Sequence, residues 1–171
     1  MNLPKTSRKL HRWGAILSLI PAFVIIASGV VLQLKKEIHW IQPPTQRGST
    51  EELAIPFDRV LEVAKGVPEA EIESWADVDR LDVRPGKGML KVRSKNRYEV
   101  QIDTATAEVL QVAYRRSDWI ESIHDGSFFH EKAKLWVWLP AGVILFILWL
   151  TGLYLWILPY QVRRRRKANA Q

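Results

Sequence analysis

The fold is decided by two uncharged apolar runs, WGAILSLIPAFVIIASGVVLQL (13–34) and LWVWLPAGVILFILWLTGLYLWILPY (135–160). A helix needs about 20 apolar residues to cross the hydrocarbon core of a bilayer, and both runs exceed that length. They therefore predict two transmembrane helices. The first run is too long for the apolar core of a signal peptide and no small-x-small cleavage motif follows it, so we expect an uncleaved anchor.

The charged residues outside these runs are sorted along the chain. The tails 1–12 and 161–171 carry nine Lys and Arg and no acidic residue, whereas the segment between the runs holds all 18 acidic residues and has a net charge of −2. Basic tails are retained in the cytoplasm, so we expect a multi-pass protein of the bacterial inner (cytoplasmic) membrane with both termini inside. Four lysines on the proposed outer side run against this trend: Lys35, Lys36, Lys132 and Lys134.

The two tails account for the positive net charge of the chain. The formal charge of +7 comes from short segments beside apolar helices, which is typical of membrane attachment and not of nucleic-acid binding. The chain has no Cys, which excludes disulfides, thiolate metal sites and a cysteine nucleophile.

Between the two runs the hydrophobic period changes from that of a helix to that of strands. After a linker (35–54), residues 56–65 place apolar side chains on one helical face. Alternating apolar residues then predict three or four short strands, near 81–83, 90–92, 98–102 and 109–114. The fold class is therefore membrane α+β: a transmembrane helical hairpin flanks a small external α+β domain (55–116), which we place in the periplasm. An amphipathic segment along the outer interface (117–134) leads into the second helix.

Small and aromatic residues indicate how the two helices contact their surroundings. Gly14, Ser18 and Ala22 recur every four residues and form a stripe that lets another helix approach closely. That helix belongs either to the same chain or to another copy of the protein. Trp149 lies deep in the second run, and we expect it to pack against a helix or a ligand. The aromatic anchors expected at the two interfaces are Trp136, Trp138, Trp156 and Tyr160.

The order of these parts resembles the PepSY-associated transmembrane family, over nearly the whole chain. The matching segments, each beside the family pattern it resembles, are RKLHRWG (8–14, "HRW-G"), NRYEVQID (96–103, the strands of a PepSY domain), IHDG (123–126, "LHTG") and TGLYLW (151–156, "TGL-LW"). The turn DTATAEV (103–109) departs from the family's D-x-x-TGEV, because Ala107 replaces Gly. Alanine tolerates a positive φ poorly, so we expect a different type of turn.

The resemblance also makes three histidines candidate haem ligands. Longer relatives with four or more spans include haem-containing ferric-siderophore reductases, which implies haem b and iron uptake, and such a haem takes an imidazole on each face of its ring. His124 occupies the motif position, His39 is its candidate partner at the outer side, and His11 would serve an inner haem. With two spans, a dimer or another subunit must complete the site. In the alternative interpretation each imidazole lies at the interface, hydrogen-bonded to backbone or headgroups.

The sequence contains no motif that assigns a reaction to the external segment. A G-x-S-x-G elbow, H-E-x-x-H and a phosphate-cradling glycine loop are absent. RPGKG (84–88) predicts a turn, and Asp77, Asp79 and Asp82 predict a solvated acidic turn in preference to a calcium loop.

Our favoured hypothesis is therefore a non-enzymatic accessory or interaction subunit. Its external domain would bind a partner protein or a larger membrane complex, with an exposed sheet edge as the contact, and PepSY domains are often proposed to bind or inhibit peptidases. The partners expected are the lipid bilayer and other membrane subunits or a second copy. The alternative is a haem b-binding electron-transfer subunit, that is, one component of a membrane oxidoreductase. A sensor ranks third, because the tails are too short to hold an output domain.

Overall fold

The computed structural model describes residues 3–168, with side chains for residues 5–162. The ends of the two predicted basic tails (1–2 and 169–171) and the basic side chains at 163–167 lie outside the described residues. The chain divides into two compact units. One, the helical unit, comprises Met1–Val30 and Glu121–Gln171; the other, the sheet unit, comprises Val31–Ile120.

Two long helices dominate the helical unit. They are α1 (Leu3–Gln33) and α4 (Leu139–Ala168). Their apolar windows have mean hydropathies of 2.6 and 2.2, and both helices are long and apolar enough to cross a membrane. Only 11% and 6% of the residues in these windows are buried within the chain, unlike the core helix of a soluble protein, which hides its apolar side chains.

A single π-helical turn, Lys134–Trp138, precedes α4. Pro140 is the second residue of α4, where a helix does not require its N–H. The proline ring would collide with the carbonyl four residues earlier in a regular helix, and a widened turn at that point gives the ring room. Trp149 is 63% exposed within this chain, and its ring stacks on that of Phe146 in the same helix, with the ring centroids 6.4 Å apart.

The sheet unit contains a four-stranded antiparallel sheet in the order β1-β2-β3-β4. Its strands are β1 (Val78–Arg84), β2 (Met89–Ser94), β3 (Tyr98–Asp103) and β4 (Val109–Tyr114). Helix α2 (Phe57–Lys65) packs on one face, and α3 (Arg116–His124) follows β4. The predicted helix at 56–65 and the four predicted strands are thus confirmed. The buried core lies between α2 and the sheet: Val60, Ala64, Val67, Ala70, Ile72, Leu90, Val92, Val100 and Ile102.

The expectation of a different turn around Ala107 is wrong. Ala107 has φ +66°, the conformation that Gly would adopt without cost. Hydrogen bonds between β3 and β4 explain why the turn is kept: the Ala107 N–H donates to the Asp103 carbonyl (3.1 Å), and the Asp103 N–H donates to the Glu108 carbonyl (2.9 Å). The hairpin therefore retains its geometry at the expense of some backbone strain.

Candidate functional site

His11 contacts the opposite helix through a hydroxyl group. Its Nδ1 lies 2.9 Å from Thr151 Oγ1, and the same hydroxyl donates to the Ile147 carbonyl (2.9 Å) one turn earlier. A hydroxyl has one proton. When Thr151 donates it to the helix backbone, Oγ1 accepts from His11 Nδ1, and in that tautomer Nε2 of the neutral ring carries the lone pair. The ring packs over Gly152, where a Cβ would make an ordinary van der Waals contact with His11 Cε1 at 3.5 Å.

His124, in the last turn of α3, is held in the same way on α1. Its Nδ1 lies 3.0 Å from Ser28 Oγ, which also donates to the Val24 carbonyl. When the serine proton goes to the helix backbone, His124 donates from Nδ1, and Nε2 of the neutral ring carries the lone pair. A Cβ on Gly29 would lie 3.3 Å from His124 Cε1, and the glycine allows this close approach.

The two histidine motifs therefore dock on matching pairs of residues, Ser28-Gly29 and Thr151-Gly152. From the sequence, Thr151-Gly152 was recognised only as part of a family motif, and Ser28-Gly29 was not identified. The repeated order of a small hydroxyl residue followed by Gly in each apolar run was the available signal.

The predicted small-residue stripe on α1 begins beside His11. A Cβ on Gly14 would lie 3.0 Å from Leu148 Cδ2 of α4, so this glycine faces that helix. Ser18 is buried and donates to the Gly14 carbonyl (2.9 Å), and Ala22 is half-buried. Within this chain the first residue of the stripe thus lies against α4.

The remaining histidines are placed differently. His39 is exposed in the turns after α1 and belongs to the sheet unit, and His130 Nδ1 accepts from the Lys132 N–H (3.0 Å). His11 and the Ser28 that holds His124 are seventeen residues apart on α1, about 25 Å at 1.5 Å per residue. His11 and His124 of one chain therefore cannot ligate the same iron.

The IHDG segment forms a compact turn around Gly126. Gly126 has φ +82°, and a Cβ on it would lie 2.5 Å from the ring of Trp138. Asp125 accepts from Lys134 Nζ (2.8 Å) and Ser127 Oγ (2.6 Å). Burial opposes ionisation of Asp125, but these hydrogen bonds outweigh it and lower its pKa to about 2. Of the predicted anchors, Trp138 is thus partly covered, while the others are exposed: Trp136, Trp156 and Tyr160.

The sheet face opposite α2 carries a buried ionic cluster centred on Glu99. Its Oε1 accepts from Lys91 Nζ (2.9 Å) and Gln101 Nε2 (2.8 Å), and its Oε2 accepts from Arg115 Nη1 (2.6 Å). Lys91 is 1% exposed and Glu99 is fully buried. Burial lowers the pKa of Lys91, although its hydrogen bond to Glu99 opposes the shift.

Arg115 belongs to the same cluster and bridges two carboxylates. Burial opposes its charge, but Asp118, which accepts from Nε at 3.1 Å, and Glu99 outweigh burial and raise the pKa of Arg115. Such a cluster is costly to break, because removing one partner leaves the other charges buried without compensation. We therefore regard it as a structural element of the domain.

A strap, residues 41–49, covers this polar face. The Pro44 carbonyl accepts from Gln101 Nε2 (2.9 Å), and the Gln46 N–H donates to Gln101 Oε1 (2.8 Å). At its end the Gly48 N–H donates to the Lys87 carbonyl (2.8 Å). A Cβ on Gly48 would lie 1.9 Å from the carbonyl oxygen of Gly88, so only glycine fits there.

Asp103 fastens the strap to the β3–β4 turn. Its Oδ2 accepts from the Ser49 N–H (2.6 Å), and its Oδ1 accepts from the N–H groups of Ala105 (2.7 Å) and Thr106 (3.0 Å). Burial opposes ionisation of this carboxyl, but the backbone donors prevail and lower its pKa to about 2.

A basic cavity of about 400 Å³ lies between the start of the strap and the β1–β2 turn. Four cationic side chains line it. One of them, Arg84, donates from Nε (3.1 Å) and Nη2 (2.9 Å) to Asp82 Oδ2. The turn predicted at 84–88 thus contributes to a concave basic surface that sequence reasoning missed. The lining residues are Lys35, Lys36, Gln42, Pro43, Pro44, Thr45, Arg84 and Lys87.

An apolar groove of about 120 Å³ lies beside β1, an edge strand of the sheet. The side chains of three lining residues are exposed: Leu53, Phe57 and Val83. The rings of Trp75 and Phe57 meet edge to face, with their centroids 6.4 Å apart. Exposed apolar side chains grouped beside an edge strand are typical of a contact surface. The residues that line the groove are Leu53, Ile55, Phe57, Val60, Val83, Leu90 and Thr104.

The prediction of one acidic turn at Asp77, Asp79 and Asp82 is wrong: Asp77 ends a short 3-10 turn, whereas Asp79 and Asp82 lie in β1. Asp77 accepts from the N–H groups of Glu73 (3.1 Å) and Ser74 (2.9 Å), and these bonds lower its pKa. Asp82 is engaged by Arg84. Within residues 3–168 the structure contains no group of three His, Asp or Glu residues arranged to hold a metal ion.

The order of elements along the chain defines the class of this protein: a small α+β domain with a four-stranded antiparallel sheet, flanked in sequence by a pair of candidate membrane spans. Residues 8–171 match the PepSY-associated TM region, PepSY_TM. The chain therefore belongs to the PepSY-associated transmembrane family, and the resemblance found in its motifs is confirmed. Comparison with curated proteins and with solved structures finds no match.

Proposed function

We propose that the protein spans the bacterial inner membrane twice, with both termini in the cytoplasm, and acts as a non-enzymatic accessory subunit. The exposed apolar surfaces of α1 and α4 support insertion. The excess of Lys and Arg on the tails supports the orientation, which places the sheet unit in the periplasm.

The observation that carries the interaction role is the edge strand β1 with its apolar groove. In the described sheet β1 pairs with β2 alone, so its other edge can accept an added strand. An extended peptide segment of a partner would pair along β1 and place alternate side chains against Phe57 and Val83 in the groove.

Two valines of matched exposure test this role. Val83 lies beside the groove and is 41% exposed, and Val109 begins β4, the other edge strand, and is 43% exposed. In protein purified gently from native membranes, we expect a stoichiometric partner to be lost in Val83→Glu and kept in Val109→Glu. The proposal fails if the wild-type protein always emerges alone, or if both variants behave alike.

The orientation has its own test, helped by the absence of Cys. A single cysteine at the exposed Thr106 should react with a membrane-impermeant maleimide in spheroplasts, where the periplasmic side is accessible. A single cysteine at Lys5 should react only after the membrane is opened. Labelling in the reverse order would contradict the topology.

The alternative function, haem b binding for electron transfer, is favoured by the two histidine docking points. Nδ1 of His11 and of His124 each contacts a hydroxyl; in the tautomer with the proton on Nδ1, this contact would orient the ring and leave Nε2 for iron. One chain would offer one haem ligand at each of two positions along α1, His11 near one end and His124 about 25 Å away. A second copy or another subunit would supply the imidazole on the opposite face of each haem. A bound haem would provide one-electron chemistry.

A reduced-minus-oxidised absorption spectrum of the purified protein from haem-replete cells tests this alternative. Haem binding predicts a Soret band that is lost in His124→Ala and retained in His130→Ala, the matched control outside the docking points. The absence of a Soret band in the wild-type protein excludes the alternative and leaves the accessory role untouched.

A further inference from the structure

The basic cavity concentrates like charges within one compact unit. Lys35 and Lys36 come from the turns after α1, and Arg84 and Lys87 come from the β1–β2 hairpin, with Pro43 and Pro44 as a rigid wall between them. Like charges at short range repel one another. Asp82 contacts Arg84, and Lys35 also has an interaction partner, but among the described residues no ion pair of Lys36 or Lys87 is found, so positive charge remains in the cavity. An arrangement of this kind gains stability from a bound anion.

The cavity also explains two lysines that run against the positive-inside trend of the proposed topology. Lys35 and Lys36 lie on the side of the membrane where basic residues are normally few. A role in binding an anion at that surface explains their presence. Arg84 also suits such a role: Asp82 occupies Nε and Nη2, and among the described residues no hydrogen bond to Nη1 is found. Arginine donors recognise phosphate oxygens with directional hydrogen bonds.

We propose that this cavity binds the phosphodiester headgroup of an anionic phospholipid in the leaflet that faces the sheet unit. The inference rests on the proposed insertion of α1. Lys35 follows Gln33, the last residue of α1, by two positions, so it lies within about 7 Å of the helix end. With α1 inserted, that distance places Lys35, one wall of the cavity, near headgroup level, which favours a lipid over a soluble phosphate. Basic residues just beyond a spanning helix bind anionic headgroups.

Lipid binding by the full-length protein in detergent micelles tests the proposal. Native mass spectrometry would count the bound phosphatidylglycerol and phosphatidylcholine molecules during titration with each lipid. We expect one phosphatidylglycerol to bind at least ten-fold more tightly than phosphatidylcholine. The double variant Arg84→Gln/Lys87→Gln should lose this preference, whereas the conservative variant Arg84→Lys should keep most of it.

The matched control is the double variant Lys65→Gln/Lys95→Gln, which removes the same charge at exposed positions outside the cavity. Equal losses in the two double variants would reduce the effect to net charge and overturn the site. Inorganic phosphate that displaces the lipid at equal concentration would assign the cavity to a soluble anion and overturn the lipid assignment. Circular dichroism must show that each variant is folded.

Failure of this proposal is distinguishable from failure of the proposed function. Lipid binding in micelles does not depend on a partner, and the partner test uses Val83 at the groove beside β1. A cavity variant that loses lipid but retains the partner supports both proposals. Wild-type protein that shows no lipid preference but loses its partner in Val83→Glu overturns the lipid site alone.

Discussion

Replacement of Asp103 by Asn should loosen the strap in a pH-dependent manner. The carboxylate accepts three backbone N–H groups, one from Ser49 in the strap and two from the β3–β4 turn. Asparagine keeps the shape of the side chain but loses the charge. It also turns one acceptor oxygen into a donor that must face a backbone N–H.

The magnitude follows from the pKa of Asp103, which falls from 3.8 to about 2 on folding. At 1.36 kcal/mol per pKa unit, ionisation contributes about 2.5 kcal/mol to the free energy of unfolding at neutral pH. Because the folded pKa is the lower one, this contribution is complete well above pH 4 and is lost as the pH falls through 2. The unmatched donor adds about 1–3 kcal/mol. Asp103→Asn should therefore cost about 3.5–5.5 kcal/mol at pH 7.

Hydrogen exchange of the full-length protein in micelles measures this cost. Protection of the β3 amides, corrected for the intrinsic rate at each pH, reports the free energy of opening the domain. The difference between wild type and Asp103→Asn should shrink by about 1 kcal/mol between pH 6 and pH 3, because about half of the ionisation term is gone at pH 3. Asp79→Asn, at an exposed carboxylate, is the matched control.

Two outcomes would refute this reasoning. If Asp103→Asn costs no more than Asp79→Asn, the hydrogen bonds from the strap and the turn do not stabilise the domain. If the cost is large but independent of pH, it comes from the mismatched donor, and the depressed pKa is wrong.

Three further substitutions probe the domain. Glu99→Gln should cost about 3–5 kcal/mol in thermal unfolding, because it leaves buried cations without their carboxylate; a cost near zero would show that water reaches the cluster. Gly48→Ala should expose the strap to limited proteolysis, whereas Gly86→Ala, which has open space around it, should not; equal cleavage would contradict the close contact. Ala107→Gly should raise β3 protection by about 0.5–1 kcal/mol by relieving the positive φ, and a loss of protection would show that the turn is unstrained.

The helices and strands were predictable because their signals are local. Uninterrupted apolar runs, the apolar face of α2 and the alternation of Val100 and Ile102 with polar neighbours depend only on residues close in sequence. The same alternation assigned Glu99 and Gln101 to the opposite face of the sheet, but nothing in it reported what covers that face.

The missed features all depend on contacts between distant parts of the chain. The strap reaches Gln101 from more than fifty residues away, and Ser28 meets His124 across ninety-six. Ala107 was misjudged for a related reason: the β3–β4 pairing outweighs the local preference of one residue.

The strap also sets the boundary of the α+β domain as an independently folding fragment. A recombinant fragment that begins at residue 55, where the helix-and-strand pattern starts, would leave Gln101 and its charged neighbours bare to water on one whole side. A fragment that begins before Ile41 and extends through Ser117, whose N–H donates to the Ile41 carbonyl, retains both ends of this cover. The shortest autonomous form of the domain is therefore set by a stretch without helix or strand of its own.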